Sequence, residues 1–152
     1  MCIRDSTDTE YGSVLFLSGG QVGEAGGRGD ILATGSRSGR IDLWDVNTRA
    51  LVRQMHGHIG LISVMVLSPD GRTLASASCD GSIKLWDSGT GRELRTLYRQ
   101  EQWMYALAFS PDGNTLASAG MNGGLRLWEA SSKETMAADL AALDRQVRTS
   151  RP

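Results

Sequence analysis

Apolar and polar positions alternate with a period of two through most of this chain, the spacing of β-strands whose two faces are differently occupied. In Ile83-Lys84-Leu85-Trp86, Ile83 and Leu85 point one way while Lys84 and Trp86 point the other. Ile41 with Leu43, and Leu125 with Leu127, repeat the pattern. Each of these strands follows one made largely of small residues: Ala33-Thr34-Gly35-Ser36, Ala75-Ser76-Ala77-Ser78 and Ala117-Ser118-Ala119-Gly120. Small side chains on both faces suit a strand sandwiched between neighbouring sheets. Cys79-Asp80-Gly81 and Met121-Asn122-Gly123 carry Asp-Gly and Asn-Gly hairpin signals. Ser68-Pro69-Asp70-Gly71 and Ser110-Pro111-Asp112-Gly113 are turns in which proline presets φ, aspartate caps and glycine closes. For residues 57–98 these signals predict four antiparallel strands near 61–67, 73–78, 82–86 and 93–97. Ser13 to Leu17 predicts a further short strand packed on both faces.

The tryptophans set the organisation. Trp44, Trp86 and Trp128 recur at one interval of 42 residues (86 − 44 and 128 − 86). A fixed period in this range marks a repeat architecture, in which no unit buries its apolar face without a neighbour. The expected repeats are 7–56, 57–98 and 99–137, the first with a glycine-rich insertion at 19–30 in a surface hairpin, where insertions are tolerated. Past Trp128 the pattern decays, and Ser131 with Glu134 makes a capping box. Met136, Leu140, Leu143 and Val147 then share one helical face, predicting an amphipathic helix over 131–149 that folds back over an edge strand. The opening Met-Cys-Ile-Arg-Asp-Ser, residues 1–6, reads as a non-native leader, with the native chain beginning upstream.

Composition narrows the functional classes. The 19 glycines among 152 residues fit many short strands and tight turns. A formal net charge of −1 gives no reason to expect nucleic acid or a membrane surface as a partner. Cys2 and Cys79 have neither the number nor the spacing of a disulfide framework or a zinc site, and no apolar run spans a bilayer or follows a basic leader. A cytoplasmic protein is expected. His56 and His58 flank Gly57 but lack a third ligand, so no metal is assigned. The glycine-rich stretch ends in no Gly-Lys-Ser/Thr and leads into a strand, so neither a phosphate cradle nor any cofactor is expected. Arg28-Gly29-Asp30 spells an adhesion tripeptide that has meaning only on a secreted chain, and is read as chance.

The Gly57-His58 start of a repeat, the Ser-Pro-Asp-Gly turns, Leu-Ala-Ser before the Asp-Gly hairpin and the closing Trp86-Asp87 together resemble the WD-repeat β-propeller family over roughly residues 7 to 137. The resemblance implies an all-β fold, a partial propeller of about three four-stranded antiparallel blades with a short C-terminal helix. It also implies a buried hydrogen-bond chain through His58, Ser76, Asp80 and Trp86. Physical chemistry agrees, since a buried imidazole and indole each need a partner. A hydrolytic triad of His58, Asp80 and Ser76 is the competing reading, and it lacks an exposed nucleophile and an oxyanion site. The other repeats depart from the pattern, with Asp8, Thr34, Ser38 and Trp44 in the first and Gln100, Ser118, Asn122 and Trp128 in the third.

Three blades do not close a ring of four to eight. The chain is therefore expected to be a fragment completed by upstream blades, or a module that self-associates. The array resembles C-terminal WD-repeat regions of bacterial proteins, some joined to protein kinases. A regulatory or structural role within such an enzyme is the alternative to the leading expectation, a noncatalytic scaffold for a protein or peptide partner. By position in the family's repeat, the partner contacts fall at Arg37, Cys79 and Met121. Leu61, Trp103 and Tyr105, at the entrances of their first strands, add apolar and aromatic area, or else pack between blades. A propeller enzyme would need titratable groups converging on the central channel, and the first-strand positions there, Val64, Val66, Ala106 and Ala108, include no carboxylate or histidine.

Overall fold

The computed structural model describes residues 11–17, 30–99, 103–121, 124–129 and 145–146. They form three four-stranded antiparallel sheets, each a meander of sequence neighbours. The first holds β1 (Tyr11–Leu17), β2 (Ile31–Ser36), β3 (Ile41–Asp45) and β4 (Leu51–Met55). The second holds β5 (Ile62–Leu67), β6 (Thr73–Ser78), β7 (Ser82–Asp87) and β8 (Glu93–Arg99). The third holds β9 (Met104–Phe109), β10 (Thr115–Gly120), β11 (Leu125–Glu129) and the two-residue β12 (Arg145–Gln146). The strands of the second sheet lie within one or two residues of those predicted, and the all-β partial propeller holds.

No helix occurs among the described residues. The helix expected over 131–149 lies outside them except at Arg145 and Gln146, where it is corrected. Those two residues pair with Leu127 and Arg126 of β11. An open strand edge carries unmet N–H and C=O groups, and a short fourth strand satisfies them here as β4 and β8 do in the other sheets. The proposed leader 1–6 and the insertion at 19–30, apart from Asp30, also lie outside the described residues.

The sheets pack side by side through their inner strands, β1 against β5 and β5 against β9. One core lies between the first and second sheets, where Ile31, Ala33, Ile41 and Leu43 meet Met65, Leu74 and Trp86. A second lies between the second and third, where Ala75, Ala77, Ile83 and Leu85 meet Leu107, Leu116 and Trp128. Each fully buried Leu or Ile contributes about 1.5–3 kcal/mol through area removed from water. Small residues set the spacing. A Cβ added at Gly35 would fall 2.5 Å from the Ile62 Cβ, so β2 approaches β5 as closely as only glycine permits.

Two inner-strand expectations are corrected. Val64 and Val66 pack into the core shared with the third sheet and do not line a channel. An inner strand turns its alternating side chains toward the two neighbouring sheets, so that its backbone edge is what faces the axis. Likewise β1 packs on one face only. Leu15 and Leu17 join the core, whereas Val14 and Phe16 stay exposed.

The turns follow their sequence signals. Ser68 Oγ donates to Asp70 Oδ1 (2.5 Å) and accepts from the Thr73 amide (2.9 Å), while the Arg72 amide donates to Asp70 Oδ1 (3.1 Å). Ser110, Asp112, Asn114 and Thr115 repeat the arrangement. In the Cys79-Asp80-Gly81 hairpin only Gly81 takes positive φ, 80°, so the turn is a three-residue type with a glycine bulge.

Candidate functional site

All three inner hairpins, β2–β3, β6–β7 and β10–β11, lie at one end of the sheets, together with the segments leading into β5 and β9. The second sheet's hairpin is braced from within by one hydrogen-bonded chain. Trp86 Nε1 donates to Ser76 Oγ at 2.7 Å, and Ser76 Oγ lies 2.8 Å from His58 Nε2. On the other side of the ring, His58 Nδ1 lies 3.2 Å from Asp80 Oδ2 and 2.9 Å from Ser82 Oγ. Asp80 also accepts from the Ile59 amide (2.9 Å), the Ser82 amide (2.8 Å) and Ser82 Oγ (2.5 Å). The structure thus brings together His58, Ser76, Asp80 and Trp86, the four residues singled out from sequence.

Donors and acceptors balance in one way. Ionised Asp80 can only accept, so His58 Nδ1 carries the proton, and in the neutral ring Nε2 accepts from the Ser76 hydroxyl, which itself accepts from the indole. Burial pushes His58 below its ordinary value against the pull of Asp80. Burial alone would raise Asp80, but the Ser82 hydroxyl and the Ile59 and Ser82 amides outweigh it and hold the carboxyl below its usual range. Ser76 is fully buried, and both its proton and its acceptor capacity are engaged. It is not placed as an attacking nucleophile.

Gly57 allows this packing, since a Cβ there would lie 2.9 Å from both the Trp86 ring and Glu93 Oε2. Beside it, Lys84 Nζ donates to Glu93 Oε1 at 2.7 Å and to Thr96 Oγ1 at 2.8 Å. Burial opposes ionisation of Glu93, yet Lys84 and Thr96 hold its carboxyl low.

In the flanking sheets the described residues include the tryptophan half of the chain. Trp44 Nε1 donates to Thr34 Oγ1 at 3.0 Å, and Trp128 Nε1 to Ser118 Oγ at 3.1 Å. Ser38 is exposed and bonds only Ser36 Oγ, at 3.0 Å. Asp8, Gln100 and Asn122 lie outside the described residues.

The residues expected at a partner surface gather at the hairpin end. The Cys79 amide donates to the Leu61 carbonyl (2.8 Å) and the Met121 amide to the Trp103 carbonyl (3.0 Å), so each hairpin residue sits beside its strand-entrance partner. Trp103 and Tyr105 meet edge to face at 6.4 Å between centroids. Met121, Trp103 and Tyr105 are exposed, as is Arg37, while Cys79 and Leu61 are half-buried. Burial and the Asp80 charge push the Cys79 thiol up, away from reactivity. His56 is exposed, and no group of three His, Cys, Asp or Glu side chains among the described residues is placed to hold a metal.

Sequence reasoning missed three features. Ser82 clamps both His58 and Asp80, and its only sequence signal is a hydroxyl just after the hairpin glycine. Ile59, 89% exposed, stands beside His58 as the most exposed large apolar side chain here, and Gly39 of the first hairpin packs on the His58–Ile59 backbone. Asp45 and Asp87, which follow the tryptophans, cap the far turns by accepting from the Thr48 and Thr90 amides, each at 2.7 Å.

Comparison with known proteins gives the same repeat. The model of the WD domain, G-beta repeat, matches residues 49–87 and 91–129. Nuclear distribution protein PAC1 of Arthroderma otae is 38% identical over 65 residues, covering 43% of this chain and 14% of that protein. The protein of the same name from Coccidioides posadasii is 35% identical with the same coverage. The chain thus spans a small part, 14%, of the length of these relatives. The crystal structure of the computationally designed Ika8 protein superposes with a TM-score of 0.63 at 27% identity, covering 78% of this chain and 33% of that one.

Proposed function

Because the chain belongs to the WD domain, G-beta repeat family, we propose that it is a noncatalytic scaffold that binds a protein or peptide at the hairpin end of its sheets. One observation carries the reading. That end concentrates exposed large apolar side chains, with Ile59 at 89%, Met121 at 66%, Trp103 at 51% and Tyr105 at 49% exposure, on a framework of paired backbones. Aromatic and methionine side chains held on rigid elements are the residue types that anchor interfaces. Arg37, Cys79 and Leu61 extend the same surface.

A noncatalytic role is supported by the chemistry of the polar cluster, where His58, Ser76 and Asp80 are committed to one another and to Trp86. No described helix is long and apolar enough to cross a membrane, and the free thiol of Cys79 suits the reducing cytoplasm where we place the protein.

The test is a comparative capture. The wild-type chain, the double variant Trp103→Ala/Met121→Glu and Asn47→Lys at the opposite end are each used as bait, and bound proteins are quantified. A partner retained by wild type and Asn47→Lys but lost by the double variant is the expected result. Equal retention by all three, or turnover of any substrate by the chain alone, overturns the proposal.

A further inference from the structure

The chain enters the second sheet through a strap, residues 56–60, that polar contacts hold in place around one titratable ring. His58, 5% exposed, turns inward to Ser76, Asp80 and Ser82. The Ile59 amide donates to Asp80 Oδ2 at 2.9 Å, and the Gly60 carbonyl accepts from Ser78 Oγ at 2.9 Å. Gly57 lies against the Trp86 ring, and Gly39 of the first hairpin packs on the His58–Ile59 backbone. Little apolar surface fastens the strap, since Ile59 is 89% exposed and His56 and Gly57 are exposed too. Gly57 and Gly60 flank the two anchoring residues, and glycine absorbs the backbone rotation that a moving segment needs.

We infer that this strap is a pH-sensitive latch: it stays closed on the second hairpin while the His58 ring is neutral, and it is released, with the sheets intact, when the ring takes up a second proton. The geometry leaves that proton no place. In the closed strap Nε2 accepts from the Ser76 hydroxyl, which accepts from Trp86 Nε1. With a proton on Nε2, Ser76 Oγ meets N–H donors from two sides and its own hydrogen loses the acceptor it has now. The ring also carries a charge in a site closed to water. Swinging the strap outward returns both ring nitrogens to solvent and leaves Ser76 holding the indole, while β5 to β8 keep their pairing.

The charged groups facing the ring are Asp80 from the hairpin, Lys84 from β7 and Glu93 from β8. From β6 it meets Ser76, and the first sheet brings the Gly39 backbone against the strap. Burial and Lys84 oppose the added proton and together outweigh the pull of Asp80 and Glu93. His58 is thus held below its ordinary 6.5 in the closed strap and returns to that value in the open one. The latch therefore holds above about pH 6.5 and opens progressively as pH falls. Ile59 belongs to the surface proposed above for a partner, but the latch does not rest on that reading.

Amide hydrogen exchange followed by NMR on the whole chain, between about pH 7.5 and 5, tests this, since it reads local opening apart from global unfolding. After correction for intrinsic exchange, protection of the Ile59 amide is expected to fall by up to about tenfold per pH unit below about 6.5, because the open form binds one more proton than the closed one. That protection should reach its floor where the His58 ring itself titrates, while amides of the β6–β7 pair stay protected. In His58→Gln the pH dependence of the Ile59 amide should vanish. A ring that takes up its proton while the Ile59 amide stays protected overturns the proposal, as does Ile59 protection that is flat with pH. Loss of β6–β7 protection in step with Ile59 also overturns it, since the sheet and not the strap has then opened, and so does a pH dependence that survives in His58→Gln. Should that variant fail to fold, the wild-type comparison of ring and amides decides alone. Partner capture at one pH reads side chains on the surface, so either proposal can fail without the other.

Discussion

Replacing Asp80 by alanine removes the acceptor on which the second hairpin closes. Four donors lose it: His58 Nδ1 at 3.2 Å, the Ile59 amide at 2.9 Å, the Ser82 amide at 2.8 Å and Ser82 Oγ at 2.5 Å. A buried donor left unmet costs about 1–3 kcal/mol, but these four are not equal. The Ile59 amide belongs to an exposed residue and regains water, whereas the Ser82 amide belongs to a buried one. His58 Nδ1 keeps Ser82 Oγ at 2.9 Å, which becomes free to accept once it no longer donates to Asp80. The sum is about 2–3 kcal/mol, well short of four full penalties. Ser38→Ala is the matched control in the first sheet. It loses one part-buried contact to Ser36, whose hydroxyl still accepts from the Arg40 amide at 3.0 Å, and should cost less than about 0.5 kcal/mol. Urea unfolding read by tryptophan fluorescence compares them, the midpoint shift reporting stability where the slope is unchanged. Equal midpoints for Asp80→Ala and Ser38→Ala would refute the network's role.

Two further predictions concern pH and a turn. His58 is pushed below its ordinary value of about 6.5, so the unfolded chain binds its proton more tightly than the folded one. Stability is therefore fully present above about pH 6.5 and falls as pH drops toward the lower folded value. Asp80 and Glu93 are held low, Glu93 by Lys84 and Thr96, so the stability they hold goes only as pH falls below about 5. A urea midpoint that is flat or rises between about pH 6.5 and 4.5 would contradict this. At the far turns, Arg49 takes φ 59° where Gly91 takes 70°. Arg49→Gly relieves about 1 kcal/mol of left-handed strain, offset in part by glycine's freedom in the unfolded chain. Gly91→Val adds that strain and sets a Cβ 2.4 Å from Arg53 Cδ, costing about 2 kcal/mol or more. Thermal melts should move in opposite directions, and a stabilising Gly91→Val would refute the turn assignment.

What could be read in advance was whatever is local or periodic. The Ser-Pro-Asp-Gly turns, the Asp-Gly hairpin and the two-residue alternation each depend on neighbours in sequence, and the strands of the second sheet followed them closely. The His58, Ser76, Asp80 and Trp86 cluster came from the family pattern and not from spacing. Ser82 escaped notice because a serine opening a strand looks the same whether or not a histidine lies above it. The Lys84, Glu93 and Thr96 cluster depends on register shifts within the β7–β8 pair, which hydrophobic pattern does not reveal. Val14 and Phe16 were expected to be covered on pattern alone, and pattern says only which face a side chain takes, not whether a sheet lies against that face.

That distinction separates the middle sheet from its neighbours. Among the described residues it alone has a sheet packed on each side, and in it a hydrogen-bond chain runs from strand β7 through to the hairpin. Trp86 is 1% exposed because the first sheet closes over it, and a closed site is where an indole N–H must have an internal acceptor. Trp44, on the open face, is only half-buried, so loss of its bond to Thr34 can be met by water. Burial of the indole does not by itself call for the whole network, since Trp128 is 4% exposed and bonds Ser118. Since water reaches Trp44, Thr34→Val should lower the urea midpoint less than Ser76→Val does, and an equal loss from the two would show that Trp44 is already closed off from water.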